Sequence, residues 1–174
     1  DQYLSAAAVL FADRGFRAVS IDDLGAAVGM SGPALYRHFR SKDAMLEELL
    51  VGVSERLLEG FRSIRDEGSD AAQALDDLIE FHVGFALAEP DVIRIEDHEL
   101  ANLPAAANQH VRHLQRQYLE GWGSVVAELR PGVSAEEREV RLHAAFGVLN
   151  STPCNRGDGV GQVLAASARA VLLR

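Results

Sequence analysis

Hydrophobic residues recur every three or four positions along nearly the whole chain, which is the spacing of amphipathic helices. Leu4, Ala8 and Phe11 predict a first helix over residues 2–14, and Gly15 is the kind of residue that ends one. No segment alternates polar and apolar residues with a period of two over a useful length. We therefore predict an all-helical fold without a sheet.

The segment that begins at Ser20 predicts two short helices separated by a tight turn. Ser20 and Ser31 are favourable N-cap residues, because a serine hydroxyl can accept a hydrogen bond from an unpaired backbone N–H. Gly29 is expected to end the first of these helices. Leu35 and Phe39 lie four residues apart on the second helix and are expected to face the core. With the first helix of the chain, these two predict a three-helix helix-turn-helix domain.

The second of these helices carries residues that are free to meet a partner. A short helix braced by another is the arrangement that reads a DNA major groove, although a merely solvated face is the alternative. Arg37 could donate two hydrogen bonds to guanine, worth about 1–3 kcal/mol of discrimination. Tyr36 and His38 could donate to phosphates or base edges, and Lys42, like the two N-cap serines, is expected to contact phosphates. The predicted DNA contacts are Ser20, Ser31, Gly32, Pro33, Ala34, Tyr36, Arg37, His38 and Lys42.

A family resemblance rests on the run F-A-x-R-G-F-x-A-x-S-I-x-x-L-x-x-x-V-G-M-S-x-x-x-L-Y-x-H-F-x-S-K, from Phe11 to Lys42. This run resembles the N-terminal domain of the tetracycline-repressor-like (TetR) family of regulators. Ser20 stands where the family often has Thr, and Gly25 where it often has Ala. A glycine at that place is expected to weaken its helix by roughly 1 kcal/mol. The resemblance implies a DNA-binding transcriptional regulator, most often a repressor, whose DNA contacts fall on the residues given above.

The rest of the chain predicts further helices and no repeat. Ser134 and Glu137 are expected to form a capping box. Residues 155–161 predict a glycine-rich loop before the last helix. The predicted helices cover residues 41–65, 71–88, 90–103, 104–129, a segment from 134 that runs through Val140, His143, Phe146 and Leu149, and residues 163–173. We predict a DNA-binding domain over residues 1–46 and a helical effector-binding and dimerisation domain over residues 47–174.

The last two helices are candidates for a dimer interface. A single helix-turn-helix reads only a few base pairs, so two-fold dimers that read pseudo-palindromes are the usual solution. The resemblance implies a homodimer formed through these two helices. Packing within one chain is the alternative explanation for their small residues, which are Ala144, Ala145, Gly147, Ala165, Ala166, Ala168 and Ala170.

The middle helices are expected to enclose an effector pocket, because they combine apolar residues with a few polar groups. An ordinary helical core is the alternative for any single residue. The resemblance implies that a ligand bound here releases the DNA by favouring one state of the dimer. The composition favours a small hydrophobic or amphipathic effector. The predicted lining is Phe81, His82, Phe85, His98, Glu99, Leu103, His110, His113, Tyr118, Trp122 and Asn150.

The net charge of −9 is unevenly distributed. Up to Met45 the acidic and basic residues cancel, so the acidic excess lies in the remainder and points away from the DNA. The one cysteine, Cys154, cannot form an internal disulfide and suits a reducing compartment. No apolar run approaches the roughly 20 residues of a membrane span, and no signal peptide opens the sequence. We therefore expect a cytoplasmic protein.

Two other classes of function are alternatives to a ligand-responsive regulator. His110 and His113, with His82, His98 and Glu99, could hold Zn²⁺ or Ni²⁺, which would make a metal-responsive regulator. An enzyme is disfavoured, because no nucleophile has an evident base nearby and no phosphate-binding glycine motif precedes a helix. We predict a protein that is not an enzyme and carries no cofactor.

Overall fold

A computed structural model of the protein describes residues 2–155 and 157–174. Within these residues the chain forms α-helices joined by turns and short 3-10 helices, and no strand, which confirms the predicted fold class. The predicted loop over 155–161 includes Arg156, which lies outside the described residues. The helices are α1 (Gln2–Arg14), α2 (Ile21–Ala27), α3 (Gly32–Leu35), α4 (Lys42–Asp66), α5 (Ala71–Ala88), α6 (Pro90–Glu99), α7 (Ala105–Leu129), α8 (Ala135–Leu149) and α9 (Val160–Leu173). The 3-10 helices are Phe16–Ala18, Leu100–Asn102 and Thr152–Cys154.

The chain divides into two compact units. The first unit contains the residues up to Ser54 together with Asp91–Arg112, and the second contains Glu55–Pro90 together with His113–Arg174. Helices α4 and α7 each contribute residues to both units. The first unit therefore holds α6 from Asp91 onward as well as α1, α2 and α3. The domain boundary after residue 46 stays a prediction.

The core of the first unit is built from the apolar faces of its short helices. Phe11 of α1 and Leu24 of α2 are fully buried, as is Leu35 of α3. The ring of Phe16 meets that of Phe11 edge to face, with centroids 5.2 Å apart. Ile93 of α6 is also fully buried in this unit. Burial of such side chains, at about 1.5–3 kcal/mol each, holds these short helices in place.

The second unit packs α9 against α8 and α5. On α8 the buried face is Leu142, Ala145 and Leu149, while Val140 is 68% exposed. The predicted stripe through Val140 and His143 is therefore rotated from the face that α8 buries. The capping box predicted at Ser134 is only half formed. Its hydroxyl accepts from the backbone N–H of Glu137 at 3.1 Å, but the Glu137 carboxylate accepts from Arg141 instead of the N-cap backbone.

None of the helices in the described part of the chain has the length and apolar character needed to cross a membrane.

Candidate nucleic-acid interface

The start of α2 is fixed by a reciprocal capping box. The Ser20 hydroxyl accepts from the backbone N–H of Asp23 at 3.1 Å, and the Ser20 backbone N–H donates to the Asp23 carboxylate at 2.9 Å. Arg14 at the end of α1 also reaches that carboxylate, at 3.4 Å. The hydrogen bond from the Ser20 side chain lowers the pKa of Asp23, and the bond from its backbone adds to this. The main role of Ser20 is therefore to cap α2. Because Ser20 is exposed, it could also contact a phosphate.

The turn between α2 and α3 approaches α2 very closely at Gly25. The backbone N–H of Met30 donates to the Gly25 carbonyl at 2.8 Å, and Gly29 takes the left-handed conformation that the turn requires. A Cβ atom on Gly25 would lie 2.8 Å from the carbonyl oxygen of Met30 and 2.9 Å from the nitrogen of Gly32. Both neighbours are backbone atoms that cannot swing aside. Helix propensity alone is thus an incomplete account of Gly25, since the close packing of the turn uses the missing side chain.

Helix α3 is shorter than the sequence predicts. Only Gly32–Leu35 is α-helical, and a tighter turn carries the chain on to Phe39, with the His38 N–H donating to the Leu35 carbonyl at 2.9 Å. Ser31 caps the helix as predicted, because its hydroxyl accepts from the Ala34 N–H at 3.3 Å. Leu35 and Phe39 are buried, also as predicted. The buried pair holds the short helix against the rest of the first unit.

The outer face of this segment presents a small group of exposed residues. Pro33, Tyr36 and Arg37 are exposed, Tyr36 by 52%, while Ala34 is half-buried. In residues 2–155 and 157–174 the guanidinium of Arg37 meets no hydrogen-bond acceptor or carboxylate. This exposed face combines a bidentate donor, a hydroxyl and an apolar edge, which suits the floor of a major groove.

Three residues predicted to contact DNA are engaged within the protein. Gly32 is buried and faces α2, where an added Cβ would collide with Asp22, so it contributes close packing and not an open surface. His38 is exposed, but its ring lies against that of Tyr3 from α1, with centroids 4.9 Å apart. Lys42 is half-buried and turned inward.

Lys42 ties the start of α4 to the connection between α1 and α2. Its ammonium group donates to the carbonyls of Phe16 and Val19, each at 2.7 Å, and lies 4.4 Å from the centroid of the Phe16 ring. Two of its three N–H donors are thereby used. Lys42 therefore stabilises the connection between α1 and α2. Only its third N–H donor could contact a phosphate.

A buried polar cluster lies in the second unit. His82 is 2% exposed, with Nδ1 at 3.1 Å from the Tyr118 hydroxyl and Nε2 at 2.9 Å from Asn150 Oδ1. A neutral ring that donates from Nε2 and accepts at Nδ1 satisfies both contacts. Burial lowers the pKa of His82 to about 4 and raises the pKa of Tyr118. The protein therefore holds His82 uncharged at neutral pH.

Aromatic rings enclose this cluster. The Phe146 centroid lies 5.0 Å from the His82 ring, Phe85 lies 5.7 Å from it, and Trp122 lies 6.2 Å from it. Phe146 is absent from the predicted pocket lining. The spacing of apolar residues predicts that Phe146 lies on a helix face, but it does not report that His82 of another helix lies beside it. Two residues beyond Asn150, the hydroxyl of Thr152 is buried without a hydrogen-bond partner among the described residues.

The predicted pocket residues do not all join this cluster. Phe81 packs on Gly60 of α4, where an added Cβ would collide with its ring, and His113 is exposed on α7. The remaining four belong to the first unit, where Leu103 is buried, His98 and His110 are exposed, and Glu99 accepts a hydrogen bond from the backbone N–H of Phe16. In the part of the chain that the structure describes, no three His, Cys, Asp or Glu side chains converge as a metal site would require. The metal-responsive alternative gains no support from this geometry.

Known proteins resemble this chain in both sequence and fold. Residues 4–49 match the family described as bacterial regulatory proteins, tetR family. Over 153 residues the chain is 31% identical to the HTH-type transcriptional repressor KstR2 of Rhodococcus jostii (strain RHA1), an alignment that covers 87% of this chain and 74% of that protein.

Two solved structures share the fold. A TetR-family transcriptional regulator from Bordetella parapertussis 12822 has a TM-score of 0.90 at 23% identity, covering 99% of this chain and 93% of that one. The ketosteroid transcriptional regulator KstR2 of Mycobacterium tuberculosis has a TM-score of 0.84 at 24% identity, covering 98% of this chain and 91% of that one. At these identities the likeness extends to the fold alone.

Proposed function

This chain belongs to the TetR family of bacterial transcriptional regulators, and from that membership we propose that it represses transcription by binding a pseudo-palindromic operator as a homodimer. Members of this family are DNA-binding transcriptional regulators and not enzymes. Membership therefore confirms the prediction that the chain is not an enzyme. Repression is supported by the relative from Rhodococcus jostii, which is named a repressor. A cytoplasmic location follows from the proposal, since an operator lies on the chromosome.

The observation that carries the proposal is the exposed Arg37 beside a braced α3. We assign Arg37 to a guanine, and Pro33, Ala34 and Tyr36 to the neighbouring base edges and thymine methyl groups. Ser31 is assigned to a phosphate at the helix start. The position of this face is fixed mainly by the capping Ser20 and by Gly32, His38 and Lys42, which make contacts within the chain.

The proposed dimer uses exposed faces of α8 and α9. Val140 and Ala144 lie four residues apart on α8, and Val163 and Ala166 lie three apart on α9, so each pair shares a helix face. Val163 is 66% exposed although it is apolar. Exposed apolar and small residues of this kind suit close approach by a second copy. Ala145 and Ala168, by contrast, are buried within one chain, as the alternative explanation supposed for these small residues.

The proposed effector is hydrophobic or amphipathic and binds at the cluster around His82. The support is a small set of polar groups, His82, Tyr118 and Asn150, inside an aromatic enclosure. The Mycobacterium tuberculosis neighbour is named a ketosteroid regulator, which favours a ligand with a rigid apolar skeleton and a keto or hydroxyl group. Release of operator DNA by a ketosteroid, but not by a fatty acid of similar apolar area, would support this class. Equal release by both would support a hydrophobic or amphipathic effector without favouring a ketosteroid.

Selection of binding sites from a random DNA pool tests the proposed function. The pool is selected with wild type, Arg37→Ala and Arg62→Ala at one stated salt concentration, because DNA affinities depend steeply on salt. Arg62 is an exposed arginine on α4 and serves as the matched control for lost charge. We expect wild type and Arg62→Ala to enrich the same pseudo-palindrome, and Arg37→Ala to lose or relax one position in each half-site.

The result that contradicts the proposal is equally defined. Enrichment of no sequence by wild type would refute operator binding. Enrichment of one unchanged sequence by all three proteins would refute the role assigned to Arg37 and move base reading to other residues.

A further inference from the structure

A carboxylate on α6 caps the connection between α1 and α2. Glu99 Oε1 accepts a hydrogen bond from the backbone N–H of Phe16 at 2.9 Å, across 83 positions of sequence. Phe16 opens a 3-10 turn, and Gly15 before it, at φ +78°, has no side chain that could cap the turn. A helical turn leaves its first N–H groups without partners, and a part-buried N–H needs one. Glu99 thus does for this turn what an N-cap residue does for its own helix.

Neighbouring contacts hold this carboxylate and the turn together. Asn102 donates to the other oxygen of Glu99, and its own Oδ1 accepts from Arg17 Nε at 3.2 Å. Arg94, one and a half turns earlier on α6, lies 3.6 Å from the Asp13 carboxylate near the end of α1. These contacts come from residues 94–102 and reach the end of α1 and the connection between α1 and α2. The connection is therefore held by contacts from the α6 region and, separately, by the two hydrogen bonds of Lys42 at the start of α4.

We propose that Glu99 is a positioning residue for DNA reading, acting through the 3-10 turn that leads into α2. The 3-10 turn Phe16–Ala18 is followed by Val19 and the capping residue Ser20, so a shift of the turn moves the start of α2. Helix α2 in turn packs on α3 through the close approach at Gly25. The carboxylate makes a charge-assisted bond, which is stronger and shorter than a neutral one. The inference rests on the proposed operator binding through α3.

The test compares Glu99→Ala, Glu99→Gln and Asp97→Ala. Glutamine keeps an oxygen that can accept from Phe16, alanine does not, and Asp97 is an exposed carboxylate on the same helix. Two quantities are measured: the exchange rate of the Phe16 amide proton by NMR without DNA, and the affinity for the selected operator. Both are read well below the melting temperature of each variant.

We expect Glu99→Ala to exchange the Phe16 amide at least about tenfold faster and to bind the operator about tenfold more weakly, as the loss of one charge-assisted hydrogen bond implies. Glu99→Gln should recover most of both effects. Asp97→Ala should match wild type in both. A merely structural role for Glu99 would lower the melting temperature without this ordered loss and rescue of operator affinity.

Two results would overturn the inference. One is an unchanged Phe16 exchange rate in Glu99→Ala, and the other is faster exchange with operator affinity equal to wild type. If Glu99→Ala does not fold, Asn102→Ala is tested in its place, because this change removes the amide that donates to the Glu99 carboxylate. The operator affinity of Asn102→Ala should fall. An unchanged affinity would overturn the inference. Arg37→Ala should bind the operator more weakly and with relaxed preference at one position of each half-site, while keeping the Phe16 exchange rate of wild type, which separates the two proposals. Failure of wild type to enrich any operator would refute both.

Discussion

Acidification should destabilise this protein through one buried side chain, His82. The ring is neutral in the folded protein, where burial lowers its pKa from 6.5 to about 4. In the unfolded chain it takes up a proton as the pH falls through 6.5. The free energy that burial of a neutral ring contributes is therefore fully present above pH 6.5 and is lost as the pH falls towards 4.

The size of this loss follows from the two pKa values. The difference between 6.5 and about 4 corresponds to about 3 kcal/mol over the whole range. Between pH 7 and pH 5, where other groups titrate less, the share of His82 is about 2 kcal/mol. That is a large fraction of the roughly 5–15 kcal/mol by which domains are stable.

Urea unfolding followed by circular dichroism at pH 7 and pH 5 measures the effect. His82→Gln cannot titrate, so its free energy of unfolding should fall by about 2 kcal/mol less than that of wild type between these two pH values. His113→Gln, which changes an exposed histidine on α7, should behave like wild type. Equal losses in wild type and His82→Gln would refute the neutral, buried assignment of His82.

Three further perturbations test separate parts of the structure. Gly25→Ala should destabilise the protein by about 1–2 kcal/mol despite the better helix propensity of alanine, because its Cβ would meet backbone atoms; a gain in melting temperature would contradict the close packing. Lys42→Met should lower the free energy of unfolding by about 2 kcal/mol through two lost hydrogen bonds, whereas a pure phosphate contact would leave stability unchanged and only reduce the salt dependence of DNA binding. Val163→Glu should shift the protein from dimer to monomer in sedimentation velocity, and an unaltered dimer would exclude this face of α9.

Several helix boundaries were predictable because their causes are local, although α3 ends earlier than the sequence predicts. Helix α1 ends where Gly15 allows a left-handed residue, and α7 begins directly after Pro104. The caps at Ser20 and Ser31 form as the sequence indicates. Each of these features depends on residues that lie within a few positions of one another along the chain. Such local interactions can be predicted from a single sequence.

The orientation of side chains was not predictable, because it depends on distant partners. The sequence predicts Glu99 in the lining of a ligand pocket, but its carboxylate accepts a hydrogen bond from a backbone N–H 83 positions away. Val140 fits a helical apolar stripe, yet α8 buries the adjacent face. The sequence predicts that Lys42 contacts a phosphate, but in the structure its ammonium group donates to the carbonyls of Phe16 and Val19.

The central claim is that two copies of the chain read two half-sites at once, and operator spacing tests it most directly. Inserting about five base pairs between the half-sites turns them to opposite faces of the duplex, since one helical turn is about 10.5 base pairs. The account predicts that this insertion lowers operator affinity to the level of a single half-site, while an insertion of about ten base pairs is less damaging. Affinity that is unchanged by either insertion would contradict a two-fold dimer and leave each chain reading DNA alone.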